Sequence, residues 1–81
     1  MIRATRYELR TVAGREVMVH MSATGRELVS LWSLSSGDDA RRAALRLQLG
    51  RAVVRFRRAR GGEVEGVPVD VAERVLAGGA P

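Results

Sequence analysis

Two turn signals, Ala13-Gly14 and Thr24-Gly25, bracket a segment, Arg15–Ala23, whose apolar residues fall on alternate positions. Val17, Val19 and Met21 share one side; Glu16, Met18 and His20 share the other. This is the period of a strand with one face on a core. Glycine-containing turns on both sides read as hairpin connections, so the flanking segments are expected to pair with it. Arg6–Val12 places Tyr7, Leu9 and Thr11 on one side. Arg26–Leu34 places Leu28, Trp32 and Leu34 on one face and Val29 and Leu31 on the other, which suits a central strand. A helical path through Leu28, Leu31 and Trp32 is the competing reading; the two preceding turns favour the strand. The first third is therefore expected to be a three-stranded antiparallel meander.

The pattern then changes. Ser35-Ser36-Gly37-Asp38-Asp39 reads as a loop feeding a helix, with Ser36 or Asp38 as N-cap and the acids suiting the positive end of the helix dipole. Ala40–Leu49 is made of strong helix formers. Ala40, Ala43, Ala44 and Leu47 offer one face for close packing on the sheet, and Leu45 and Leu49 a second apolar strip. Gly50 is ambiguous. As a left-handed residue it ends the helix, and Ala52–Ala59 becomes a strand with Val54 and Phe56 opposed to Arg55 and Arg57. Alternatively the helix continues to Arg60 along a Leu45, Leu49, Ala52, Val53, Phe56 stripe. The Val53-Val54 pair followed by an aromatic favours the strand. Gly61-Gly62 reads as a hairpin turn and Glu63–Val67 as a return strand, with Glu63 and Glu65 near arginines across the pair. Pro68 suits the start of a final helix with Val71, Ala72, Val75 and Leu76 inside, ended by Gly78-Gly79. The fold class expected is α+β: a meander, a helix, a further strand or hairpin, and a C-terminal helix. One domain is expected over 1–79, with 80–81 as a frayed tail.

The chain has 81 residues and no cysteine, so it needs a packed core or a partner rather than disulfide staples. Its 14 basic residues are all arginine and its formal charge is +5. Arginine without lysine is expected from gene base composition; position is the informative part. Residues 1–40 hold five arginines and five acids, residues 41–60 hold eight arginines and no acid, and residues 61–81 hold four acids and one arginine. The excess is thus a central block: Arg41, Arg42, Arg46, Arg51, Arg55, Arg57, Arg58 and Arg60. Like charges this concentrated repel one another, which points to an anionic partner. The plainer account is a solvated face, partly paired with the acidic last third.

Motifs for chemistry are sparse. His20 is the only histidine; it lies opposite Val17 and Val19, so it is expected to face solvent rather than act as a base. No serine sits in a nucleophile-elbow pattern. Asp38-Asp39 is explained by capping, and no metal or other cofactor is called for. Tyr7, Trp32 and Phe56 are the only aromatics, too few for the usual stacking platforms; Trp32 and Phe56 are expected in the core.

A non-enzymatic binding module is therefore expected, contacting nucleic-acid phosphates through the eight central arginines. The alternative is a protein-interaction module: a small subunit, adaptor or antitoxin-like partner that forms a homodimer or meets an acidic protein. That alternative rests on the apolar residues of Leu28–Leu34 and on Leu45 and Leu49. Met1–Arg6 is not followed by an apolar run, and no stretch approaches the roughly 20 apolar residues of a membrane span. A cytoplasmic location without a membrane span is expected, and no small-molecule substrate is evident.

Overall fold

The alternating segment is strand β2, Arg15–Ser22, in a computed structural model that describes residues 1–78. It pairs antiparallel with β1, Ile2–Val12, across a turn in which Ala13 and Gly14 both have positive φ. That conformation matches the right-handed twist of a two-residue hairpin. The register runs from Val12 opposite Arg15 to Ala4 opposite Ser22, with a bulge between Ala4 and Arg6. The bulge bends β1. Its first residues turn away from β2 to meet β4, Val54–Arg57, through Ile2 opposite Phe56 and Arg3 opposite Arg57. β2 also pairs with β3, Glu27–Ser30, and β3 with β5, Glu63–Pro68. β5 pairs with β4, so the strands close in the order β1-β2-β3-β5-β4. β1 and β4 run parallel and the other neighbours antiparallel.

A closed sheet has an inside and an outside, and here both are buried in part. Val17, Val19 and Met21 of β2, with Val29 and Val67, form an outer core beneath the helices. Ala4, Leu28 and Phe56 form the inner one, with Ile2, Val54 and Val64 packed against them. The radius of gyration, 11.6 Å, equals that of a compact chain of this length, about 11.7 Å.

The expected strand Arg26–Leu34 stops at Ser30. There the Ser30 hydroxyl accepts a hydrogen bond from the Ser33 amide at 3.1 Å and starts a helical turn, α1, Leu31–Leu34. Arg15 secures the far end of this turn: its guanidinium donates to the Ser33 carbonyl and to the Ser36 hydroxyl, both at 2.6 Å. The cap converts a period of two into a helical one. Leu31 and Leu34 point into the core, and Trp32 is 62% exposed rather than buried.

Helix α2, Asp39–Leu49, begins as its cap chemistry implies, with the Asp38 carboxylate accepting from the Arg41 amide at 2.9 Å. Its buried face is the reverse of the alanine-lined one. Leu45 and Leu49 enter the core, while Ala40, Ala43, Ala44 and Leu47 are exposed. Removing a leucine from water is worth about 1.5–3 kcal/mol, well above an alanine, so two leucines outweigh three alanines and the single Leu47. Gly50 ends the helix at φ +26, and a 3₁₀ turn, Gly50–Ala52, leads into β4. Residues 54–57 are thus strand, not helix. The last helix, α3, Val69–Leu76, follows Pro68 directly and buries Val71 and Ala72. Gly78, at φ +80, lies just beyond it. Gly79 and the tail 80–81 lie outside the described residues.

Gly66 of β5 is where three strands come closest. A Cβ there would collide with the Val29 carbonyl oxygen and lie 2.8 Å from the Phe56 ring. Gly66→Ala is expected to destabilise by about 3 kcal/mol or more, because the overpacking is against backbone rather than a flexible side chain. Gly25→Ala meets nothing within 4 Å and is expected to cost only the strain of φ +84, about 1–2 kcal/mol. Urea denaturation checks this; equal losses in the two variants would show that the close approach at Gly66 does not matter.

Candidate nucleic-acid interface

The eight arginines occupy three places. Arg41, Arg42 and Arg46 are on α2; Arg41 borders a crevice between α2 and α3 beside Val75 and Gly78. Arg51 is on the 3₁₀ turn. Arg55 and Arg57 project from the outer side of β4, because Phe56 between them is fully buried inside. Arg3, in register with Arg57, shares that outer side. Arg58 and Arg60 follow in the connection to β5 and stand at the open end of the barrel. The segment is therefore not one face. Its two ends border different hollows, and Arg55, Arg57, Arg58 and Arg60 follow one another along β4 and the turn after it.

Acids neutralise part of the block. Arg42 pairs with Asp39 at 2.6 Å and Arg46 with Glu65 at 2.7 Å. Glu65 and Glu63 also stand opposite Arg55 and Arg57 in the β4–β5 register, as the sequence led one to expect. Among the described residues, Arg41, Arg51, Arg55, Arg57, Arg58 and Arg60 form no salt bridge. The tightest charge cluster lies elsewhere: Arg10 joins Glu8 on its own strand to Glu27 on β3, at 2.6 Å from the latter. This hydrogen-bonded pair holds the Glu27 carboxyl below the usual range and raises the Arg10 guanidinium still further. It ties strands together and, with one arginine for two glutamates, leaves no positive charge free.

The open end of the barrel holds a hollow of about 560 Å3. Tyr7, His20, Trp32, Ser33, Arg58 and Arg60 are around it, with no carboxylate in its lining. The Arg60 guanidinium carbon lies 5.2 Å from the Tyr7 ring centre, at cation–π distance. Arg58 is steadied by donating to the Gly61 carbonyl at 3.2 Å. His20 is not on a solvated face. It is 6% exposed and sits between Tyr7 and Phe56, with ring centres 6.3 and 5.1 Å away. Its Nδ1 is buried without a protein hydrogen-bond partner. Burial, assisted by the nearby positive charge of Arg58, pushes the imidazole pKa below its ordinary 6.5.

At this mouth, Trp32 and His20 are the residues placed wrongly from sequence. The Tyr7–His20 pair was legible: a two-residue turn at Ala13-Gly14 sets these positions opposite one another, and the structure has that register. The exposure of Trp32 was not, since it depends on the Ser30 cap. Among the described residues no group of three histidine, cysteine or acidic side chains is placed to hold a metal ion, and no helix is long and apolar enough to cross a membrane. No protein-family model, curated protein or solved structure matches the chain.

The depressed His20 pKa has a sign that can be checked. On acidification the unfolded chain takes up this proton first, so stability falls as pH drops through about 6.5 and levels off below the folded-state value. A His20→Leu variant is expected to lose less stability than the parent between about pH 8 and about pH 5.5, a window above the ordinary carboxylate range. Thermal unfolding at the two pH values measures this; parallel losses in both proteins would refute it.

Proposed function

We propose that the protein is a non-enzymatic nucleic-acid-binding module that acts with nucleic acid in the cytoplasm. The supporting observation is the line Arg55, Arg57, Arg58, Arg60 along β4 and its turn, unpaired among the described residues and continuous with Arg3. Arginine suits this work because its planar fork meets phosphate oxygens bidentately. Strand geometry adds order: Arg55 and Arg57 point the same way, two residues and so about 6.6 Å apart. Contacts of this kind fix the strand and supply affinity without reading its sequence.

Most residues that motivated the protein-interaction alternative serve the chain's own core, although Trp32 of the same segment is exposed. Leu28, Val29, Leu31, Leu34, Leu45 and Leu49 are all buried in the core of the single chain. Leu9 and Leu47 are the exposed leucines that remain for it.

Phosphate binding has a salt signature. If the four contiguous arginines engage, log Kd against log salt should have a magnitude near 4 on duplex DNA and near 3 on a single strand; six contacts would raise the duplex value to about 5. Arg55→Gln with Arg57→Gln should lower the duplex slope by about 2 and leave the fold intact. Glutamine is preferable to glutamate, because Glu65 and Glu63 stand directly opposite and like charges there would destabilise the sheet. Titration of labelled strands at several salt concentrations gives the slopes. Absent binding at low salt, or a flat salt response, overturns the proposal. A salt-insensitive dimer in light scattering would favour the interaction module.

A further inference from the structure

The phosphate line ends at the barrel mouth, and the mouth has features that phosphate binding does not use. A hollow of about 560 Å3 lies within the roughly 300–1,000 Å3 of ligand pockets, which often form in the mouths of barrels. Its rim carries Tyr7 and Trp32, two of the three aromatics in the chain. Trp32 is held outward at 62% exposure, with its indole against Gly37, where a Cβ would lie 3.2 Å from it. Inside is His20, 6% exposed, with Nδ1 lacking a protein partner. A buried polar atom left unpaired is expensive to keep, and a neutral imidazole nitrogen can donate or accept according to tautomer. The two arginines on the rim and the absence of any carboxylate in the lining select for a negative group beside the hollow.

We infer that the barrel mouth binds one unstacked nucleobase with its phosphate: the base enters between Trp32 and Tyr7 above His20, and the phosphate meets Arg58 and Arg60. The chemistry recognised is a planar heterocycle carrying hydrogen-bonding edges and an adjacent phosphate. A free nucleotide and a single strand both supply it, whereas a duplex keeps its bases stacked and paired. This deepens the nucleic-acid proposal and rests on it for the single strand, while the free nucleotide tests the hollow by itself. Arg60, already over the Tyr7 ring, needs only a side-chain movement to reach the phosphate.

Trp32 is the only tryptophan, so its fluorescence reports directly on the rim. The intact chain is titrated with AMP, with UMP, with short single-stranded DNA and RNA, and with a duplex of the same sequence, following both Trp32 emission and the anisotropy of labelled strands. The expected result is quenching by the mononucleotides and single strands and none by the duplex. His20→Leu and Trp32→Leu should each weaken single-strand binding about tenfold, the loss typical of one stacked or pocketed base, and leave duplex binding unchanged. Trp32→Leu alters an exposed side chain, so it remains informative if His20→Leu fails to fold, which circular dichroism would reveal. Salt-dependent duplex binding with no quenching and no effect of Trp32→Leu on single strands overturns the pocket and leaves the phosphate line standing. Quenching by mononucleotides with no binding of any strand supports the pocket and overturns the nucleic-acid proposal. Absence of both overturns both.

Discussion

The ring of Phe56 fills the inside of the barrel because Gly66, on which it packs, has no side chain. β5 can then run close enough to β3 to pair, and β4 close enough to β1 to shut the sheet through Ile2 and Arg3. Dispersion and water exclusion around one ring, worth some 3–5 kcal/mol if lost to alanine, thus hold together strands distant in sequence. The same ring limits the filling. Phe56, Leu28 and Ala4 occupy one part of the interior, His20 lies against Phe56, and beyond His20 the barrel opens between Tyr7 and Trp32. The hollow is where the apolar supply of a small chain stops.

Strand alternation then distributes the charge. With Phe56 inside, Arg55 and Arg57 have to stand outside, each opposite a glutamate of β5. The chain leaves the sheet at Arg58, and alternation no longer separates its neighbours, so Arg58 and Arg60 both reach the mouth. An acid-free block of eight arginines is tolerable because the fold spreads it over α2, the outer side of β4 and a turn. Exposed pairs such as Arg46–Glu65 add little stability by themselves. Their effect is to reduce the field where β5 passes, while Arg58 and Arg60 beside the hollow have no salt-bridge partner among the described residues.

Much of this was legible in the sequence. The alternation of Val17, Val19 and Met21, the positive-φ role of Gly50, the Asp38 cap, and the pairing of Glu63 and Glu65 with β4 arginines all follow from local rules, and all appear. The failures have separate causes. Treating the far side of β2 as solvated presumes an open sheet with one wet face, but a closed one buries both faces of its strands, so His20 went inside. The α2 prediction chose the face with more apolar positions, whereas the helix follows the two leucines that reach the sheet. At Ser30 a single hydroxyl outcompeted the strand period, a local side-chain-to-backbone bond that propensity does not register. With it moved Trp32, and hence half of the rim. The arginine residues could be named from sequence, but the hollow they border could not, since it exists only once β1 and β4 have met.

Consistency between local preference, packing and polar satisfaction marks most of the molecule, and departures from it concentrate where function is found. Here the departures coincide. The mouth combines a buried imidazole nitrogen without a protein partner, an exposed tryptophan, and two arginines without a salt bridge among the described residues. An unsatisfied buried polar atom costs about 1–3 kcal/mol, a sizeable part of the 5–15 kcal/mol by which domains are stable. A chain of 81 residues without disulfides has little margin for such a cost, and leucine at position 20 would remove it. Packing alone gives no reason for histidine there. A ligand that packs on the His20 ring, lays an aromatic face on Trp32 and brings a negative charge to Arg58 and Arg60 would use these features together.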